Sequence, residues 1–138
     1  MRHRFVPAML VLLGMLGAAA STAEKPSENY QKAMKDLDAF AQGIGKAVSD
    51  QDYDAVTKYA ASAEAAFVVA GAFWTAKGDD AAVKMAQTGE KAAGDLAVVA
   101  GLKSAEGVAY SAKGVTDVCM GCHTAHRESM PDGSFQIK

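Results

Sequence analysis

The chain has 138 residues, with 14 Lys and Arg set against 16 Asp and Glu, for a formal charge of −2. That balance argues against a nucleic-acid binder, which usually carries a basic stripe, and the length suits one domain. No Ser-His-Asp set, phosphate loop or second metal cluster stands in the sequence, so nothing in it marks an enzyme.

Residues 1–23 read as a secretory signal peptide. Arg2, His3 and Arg4 form a basic start, Phe5 to Leu16 is apolar apart from Pro7 and Gly14, and Ser21-Thr22-Ala23 offers small residues for cleavage. The apolar run is short for a membrane span, so cleavage without lasting membrane insertion is expected rather than an anchor. Loss of Arg2 and Arg4 takes the formal charge from −2 to −4 for residues 24–138, the expected single domain. The implied destination is a bacterial periplasm, where a free cysteine pair tends to oxidise.

From Ser27 to Met130 there is no proline, and Ala, Lys, Glu and Asp dominate. Apolar residues recur at gaps of three and four, the pattern of helices with one buried stripe. The first helix is predicted over Ser27–Val48, capped by Ser27 after Pro26, with the stripe Tyr30, Met34, Leu37, Ala41, Ile44 and Val48. Asp50 or Asp52 then caps a second helix to Lys77. Its stripe is Tyr53, Val56, Ala60, Ala63, Phe67, Ala70 and Trp74, widened by Val69 and Phe73. Gly78-Asp79-Asp80 stops that helix and starts a third, which runs to Leu102 with Ala82, Met85, Gly89, Ala92, Leu96 and Val99 inward. Ser104 caps a fourth helix to Glu128, with the seam Val108, Ala112, Val115, Cys119, Cys122 and His126. The tail from Ser129, with Pro131 and Gly133, is expected to be irregular.

Four such helices joined by short loops predict an all-α, antiparallel up-down-up-down four-helix bundle. Its core is rich in alanine, so the helices alone bury modest apolar area. A flat apolar cofactor would fill such an interior and stabilise the fold by binding linkage.

The last predicted helix carries Cys119-Met120-Gly121-Cys122-His123, which reads as a c-type haem attachment site. Two thiols must meet two vinyl groups on one porphyrin edge, and the next imidazole must reach the iron. Residues three and four apart share a helix face, so one turn can present both thiols and His123 to one ring. Rival readings are a redox dithiol, a strained disulfide, or a zinc site of Cys119, Cys122, His123 and His126. The dithiol lacks a βαβ setting and leaves His123 unexplained. Structural zinc usually draws its ligand pairs from two separated segments.

With its leader, four helices and C-terminal motif followed by Arg127, the chain resembles the class II c-type cytochromes: cytochrome c′, cytochrome c-556 and the related cytochrome b562. The resemblance implies one covalent haem c per chain, His123 as proximal iron ligand, and Arg127 beside the imidazole or a propionate. It further implies that Met34, in Asn29-Tyr30-Gln31-Lys32-Ala33-Met34, is the distal iron ligand of a low-spin centre. Spacing alone favours an ordinary core methionine at Met34, since it lies on a buried stripe. Met85 is the next candidate, on a helix that the family does not use for ligation; Met120 and Met130 lie too near or beyond the attachment site. Relatives commonly carry an aromatic residue where this chain has His126. That residue reads as solvated or at the seam edge, or else as a pH-sensitive group by the haem. Tyr30 and Trp74 read as core or haem-packing aromatics.

The function so implied is single-electron transfer with redox protein partners, and pairing of copies through the first two helices is common in the family. The alternative is a five-coordinate, cytochrome c′-type protein that binds NO or CO. A third possibility is a zinc- or disulfide-stabilised helical module without haem.

Overall fold

A computed structural model describes residues 25–138, so the leader assigned to residues 1–23 lies outside the described residues. The chain forms α1 (Glu28–Ser49), α2 (Tyr53–Lys77), α3 (Asp80–Gly101) and α4 (Ala105–His126). Two short strands follow, β1 (Arg127–Ser129) and β2 (Phe135–Ile137). The four helices pack against one another as a bundle, and the short turns between them make consecutive helices antiparallel. None of the described helices is long and apolar enough to cross a membrane.

Each helix begins at a side-chain cap. Ser27 Oγ accepts from the Tyr30 amide, Asp52 Oδ1 from Ala55, Asp79 Oδ1 from Ala82 and Ser104 Oγ from Gly107. These bonds satisfy amides that have no carbonyl partner inside the helix. At the other end of α2, Gly78 turns the chain with φ 72°, the left-handed conformation that glycine adopts without a Cβ penalty. The turns after α1 and α3 place Gln51 and Lys103 at φ 53° instead. Both sit at the end of the bundle remote from the cysteines.

The core is continuous along the helices. Phe40, Leu96, Val56, Val108 and Val115 are its largest fully buried side chains, and alanines fill much of the rest. The second predicted stripe matches the buried face of α2, except that Val69 is exposed and Ala66 is buried. In α1 the buried face is Ala33, Leu37, Phe40, Ile44 and Ala47. Ala41 is exposed there, and Tyr30, Met34 and Val48 lie half-buried at the margin. The bulk of Phe40 explains the rotation, because burying an aromatic ring removes far more apolar surface from water than burying Ala41. In α3 the inward residues are Ala82, Ala86, Gly89, Ala93, Leu96 and Ala100, with Met85, Ala92 and Val99 at the margin. The cause is Gly89. A Cβ placed there would lie 2.3 Å from the Phe67 ring, so the ring rests on the bare helix backbone and fixes which face of α3 meets α2.

That contact belongs to the most extensive helix pair, α2 with α3; α1 and α4 touch most sparingly of the neighbouring pairs. A smaller apolar cluster closes one end of the bundle. It gathers Trp74, Ala82 and Ile137, with Tyr30, Phe73 and Val83 against them.

The predicted irregular tail is instead an antiparallel hairpin, with Arg127 opposite Ile137 and Ser129 opposite Phe135. Helix α4 therefore stops at His126 rather than Glu128, because Arg127 is already extended at φ −112°, ψ 134°. Pro131-Asp132-Gly133 makes the reversal: Gly133 takes φ 83°, and Asp132 Oδ1 accepts from the Ser134 amide at 2.9 Å. Exposed Lys–Asp pairs one turn apart, such as Lys32–Asp36 and Lys91–Asp95 at 2.6 Å, decorate the surface and contribute little to stability.

Two alanine substitutions should have opposite signs in urea or thermal melts. Gly89→Ala forces a methyl against Phe67 and is expected to cost about 1–3 kcal/mol. Gly45→Ala, where a Cβ meets nothing within 4 Å, should stabilise by about 0.5–1 kcal/mol through helix propensity. Lys103→Gly should stabilise by about 1 kcal/mol by relieving left-handed backbone. A stabilising Gly89→Ala would mean that the ring contact does not fix α3.

Candidate haem-attachment site

Cys119, Cys122 and His123 occupy the last two turns of α4 and are half-buried, whereas Met120, Gly121 and Thr124 face solvent. The helix runs unbroken through the motif, so the spacing of three and four residues brings the two thiols and the imidazole to one inward side. Cys119 packs against the main core, as does Met34 of α1.

The opposite wall is a single edge of α1. Tyr30, Met34 and Asp38 are each one turn apart; Tyr30 and Asp38 act on the motif, and Met34 packs on the core that Cys119 also touches. Burial pushes the Tyr30 phenol up, a Cys122 thiolate would push it further, and its ring meets Trp74 edge-on at 6.1 Å between centroids. Asp38 acts on His123 across the seam. Helices α1 and α4 make the sparsest contact among the neighbouring helix pairs.

Burial dominates the chemistry of the three motif groups. It pushes the Cys119 thiol up to about 11, with the neighbouring Cys122 adding to the shift. It raises Cys122 as well. Both thiols are therefore protonated at neutral pH, which is the reverse of the low-pKa thiolate that an exchange-active dithiol needs. His123 is pushed down, first by burial and then by the Arg127 charge, while Asp38 pulls the other way. Its imidazole is accordingly neutral at pH 7, the form that binds iron.

Arg127, expected within the helix, begins β1 and is exposed; its guanidinium lies over the Phe135 ring, 3.9 Å from the centroid. Its influence on His123 is electrostatic. Of the two expected positions for His126, solvated or at the seam edge, the structure gives the second: its side chain is 17% exposed. Nδ1 lies 3.4 Å from Asp79 Oδ2, and the ring packs on Trp74 at 4.9 Å between centroids. Its Nε2 is buried without a partner. Met85 is half-buried on α3, and Met120 is 65% exposed.

The zinc alternative fails on this arrangement. His126 turns to Asp79, and no three His, Cys, Asp or Glu side chains among the described residues converge on a metal position. The donor set fits haem c better. Two protonated thiols and a neutral imidazole share one half-buried side of α4, and a thioether, Met34, packs on the same core as Cys119. The orphaned Nε2 of His126, one turn beyond Cys122, adds a buried polar atom still lacking a hydrogen-bonding group. Sequence reasoning missed Asp38 and Asp79. Asp38 was signalled by its place one turn after Met34, and Asp79 by its place next to a helix-stopping glycine.

Comparison of the chain with protein-family models, curated proteins and solved structures found no match.

In the haem-free chain the buried thiols should be sluggish. With Cys119 at about 11 against an ordinary 9.0, its thiolate fraction near pH 8 is about a hundredfold below that of an exposed cysteine, and alkylation should slow in proportion. Because the folded value is the raised one, the stability from keeping Cys119 protonated is present below pH 9 and lost as pH rises through about 11. Alkylation as fast as in the unfolded chain would contradict this burial.

Proposed function

We propose that this protein is an exported, periplasmic c-type haem protein that passes single electrons between redox protein partners. One haem c per chain would be held by thioethers from Cys119 and Cys122, with His123 as proximal and Met34 as distal iron ligand. The observation that supports the reading is that two protonated thiols and a neutral imidazole share one half-buried side of α4, while Met34 of α1 packs on the same core as Cys119.

The haem, when bound, supplies a ferric–ferrous couple whose potential follows its axial ligands and surroundings. Cys119 and Cys122 fix the ring covalently, so its retention does not depend on the axial bonds. His123, neutral in this setting, keeps its lone pair for the metal. Met34 supplies a soft thioether from the facing helix, a ligand that raises the potential. The Arg127 charge acts in the same direction, since a nearby cation disfavours the more positive ferric state. Tyr30, Phe73 and Trp74 close one end of the seam against water. If His123 and Met34 both bound the iron, small molecules would have no open site, which would leave electron exchange across the protein surface. Solvent-exposed Met120 and Gly121 lie within the attachment motif, so a partner can approach there.

Expression with the haem-attachment machinery should give a red protein with a low-spin reduced spectrum that CO does not alter. Met34→Ala should leave haem attached but give a high-spin, CO-binding centre; His123→Ala should disturb ligation from the other side. Trp74, the chain's one tryptophan, should lose most of its emission when haem is attached. A colourless product excludes the reading. A red wild-type protein that binds CO directly leaves Met34 as a core side chain and favours the five-coordinate, gas-binding alternative.

A further inference from the structure

An α-helix leaves the carbonyls of its last residues without donors from the helix itself. In α4 these belong to the turn that contains His123. The Arg127 amide donates to His123 O. Two further carbonyls are served by one distant residue: Lys138 Nζ donates to Thr124 O at 2.7 Å, and the Lys138 amide donates to His126 O at 3.1 Å. The ammonium also meets the negative end of the helix dipole.

Lys138 reaches this position because the hairpin reverses the chain. Pairing of Arg127 with Ile137 sets residue 138 beside the end of α4. Ile137, 8% exposed, is buried with Trp74 of α2 and Ala82 of α3, so the strand is held by the body of the bundle. The Arg127–Phe135 stack ties the two strands together a second time. The helix end is thereby connected to α2 and α3 through residues that no local capping pattern would reveal.

We propose that Lys138 is a positioning residue, the long-range C-cap that keeps the last turn of α4, with Cys122 and His123, from fraying. Thioethers retain a haem without orienting the imidazole; the hairpin supplies that orientation. The clamp stands on the contacts above, and its consequence at iron rests on the proposed haem reading.

The test is amide exchange on the full chain as purified. Lys138→Met removes the ammonium and keeps the amide; Lys138→Pro removes both donors. Amides of residues 123–126 should exchange roughly five- to tenfold faster in Lys138→Met, as loss of one modest hydrogen bond implies. They should exchange faster still in Lys138→Pro, while residues 108–115 stay unchanged. Lys138→Arg should restore protection. In the haem-bearing protein, the ferric haem-methyl resonances report the orientation of the imidazole plane. They should shift in Lys138→Met and return in Lys138→Arg. Unchanged exchange, or uniform acceleration along α4, overturns the clamp. Local acceleration with unmoved haem resonances overturns the positioning role. Local acceleration in a colourless protein upholds the clamp and removes the haem reading alone.

Discussion

The seating of Phe67 on Gly89 is the contact to which the rest of the bundle is fitted. A ring lying on bare backbone brings two helices nearer than side chains would allow, and the residues around it are correspondingly small: Ala63, Ala66 and Ala70 on α2, Ala82, Ala86 and Ala93 on α3. A Cβ on Gly71 would sit only 3.6 Å from that of Ala86. Close-packed small residues make this pair rigid. The opposite side of the bundle differs: α1 and α4 meet least, and across that side Tyr30 lies near Cys122 and Asp38 near His123. A four-helix bundle with one tight pair and one sparse pair can adjust at the sparse pair without disturbing the tight one.

The same asymmetry sets the electrostatics of the site. Burial keeps both thiols protonated and the imidazole neutral, so the motif enters the interior without net charge. Burying an unpaired charge there would be costly. The charges that do act on the motif stand at its rim: Asp38 on one helix and Arg127 beyond the end of the other, pulling His123 in opposite directions. A neutral site with charges at its edge does not suit thiol exchange, which needs a stabilised thiolate.

Much of this could be read from the sequence. The helix limits follow from Ser27, Asp52, Asp79 and Ser104, whose side chains offer the backbone what the first turn lacks. The inward faces of α1 and α3 were less legible, because periodicity fixes spacing and not rotation. Alanine-rich stripes offer several nearly equivalent faces, and the choice between them falls to tertiary contacts of Phe40 and Phe67, which local spacing does not encode. The hairpin was legible and overlooked: Pro131-Asp132-Gly133 between short extended runs is a turn with a mechanism. The partners of His126 were not legible, since they come from an interhelical corner some forty-seven residues earlier in the chain.

That corner explains why a histidine suits position 126. One Asp79 carboxylate serves two elements: Oδ1 caps α3 through the Ala82 amide at 2.9 Å, and Oδ2 lies 3.4 Å from His126 Nδ1. An aromatic hydrocarbon at 126 would still pack on Trp74, but it would leave Oδ2 without this partner. The histidine ring does both. In doing so it carries Nε2 into an apolar enclosure where no side chain answers it. A buried, unpaired polar atom costs free energy that a packed bundle end would not otherwise retain. Its persistence one turn beyond Cys122 is understandable if something hydrogen-bonding belongs beside it. On the proposed haem reading, a porphyrin propionate would be one group of that chemistry.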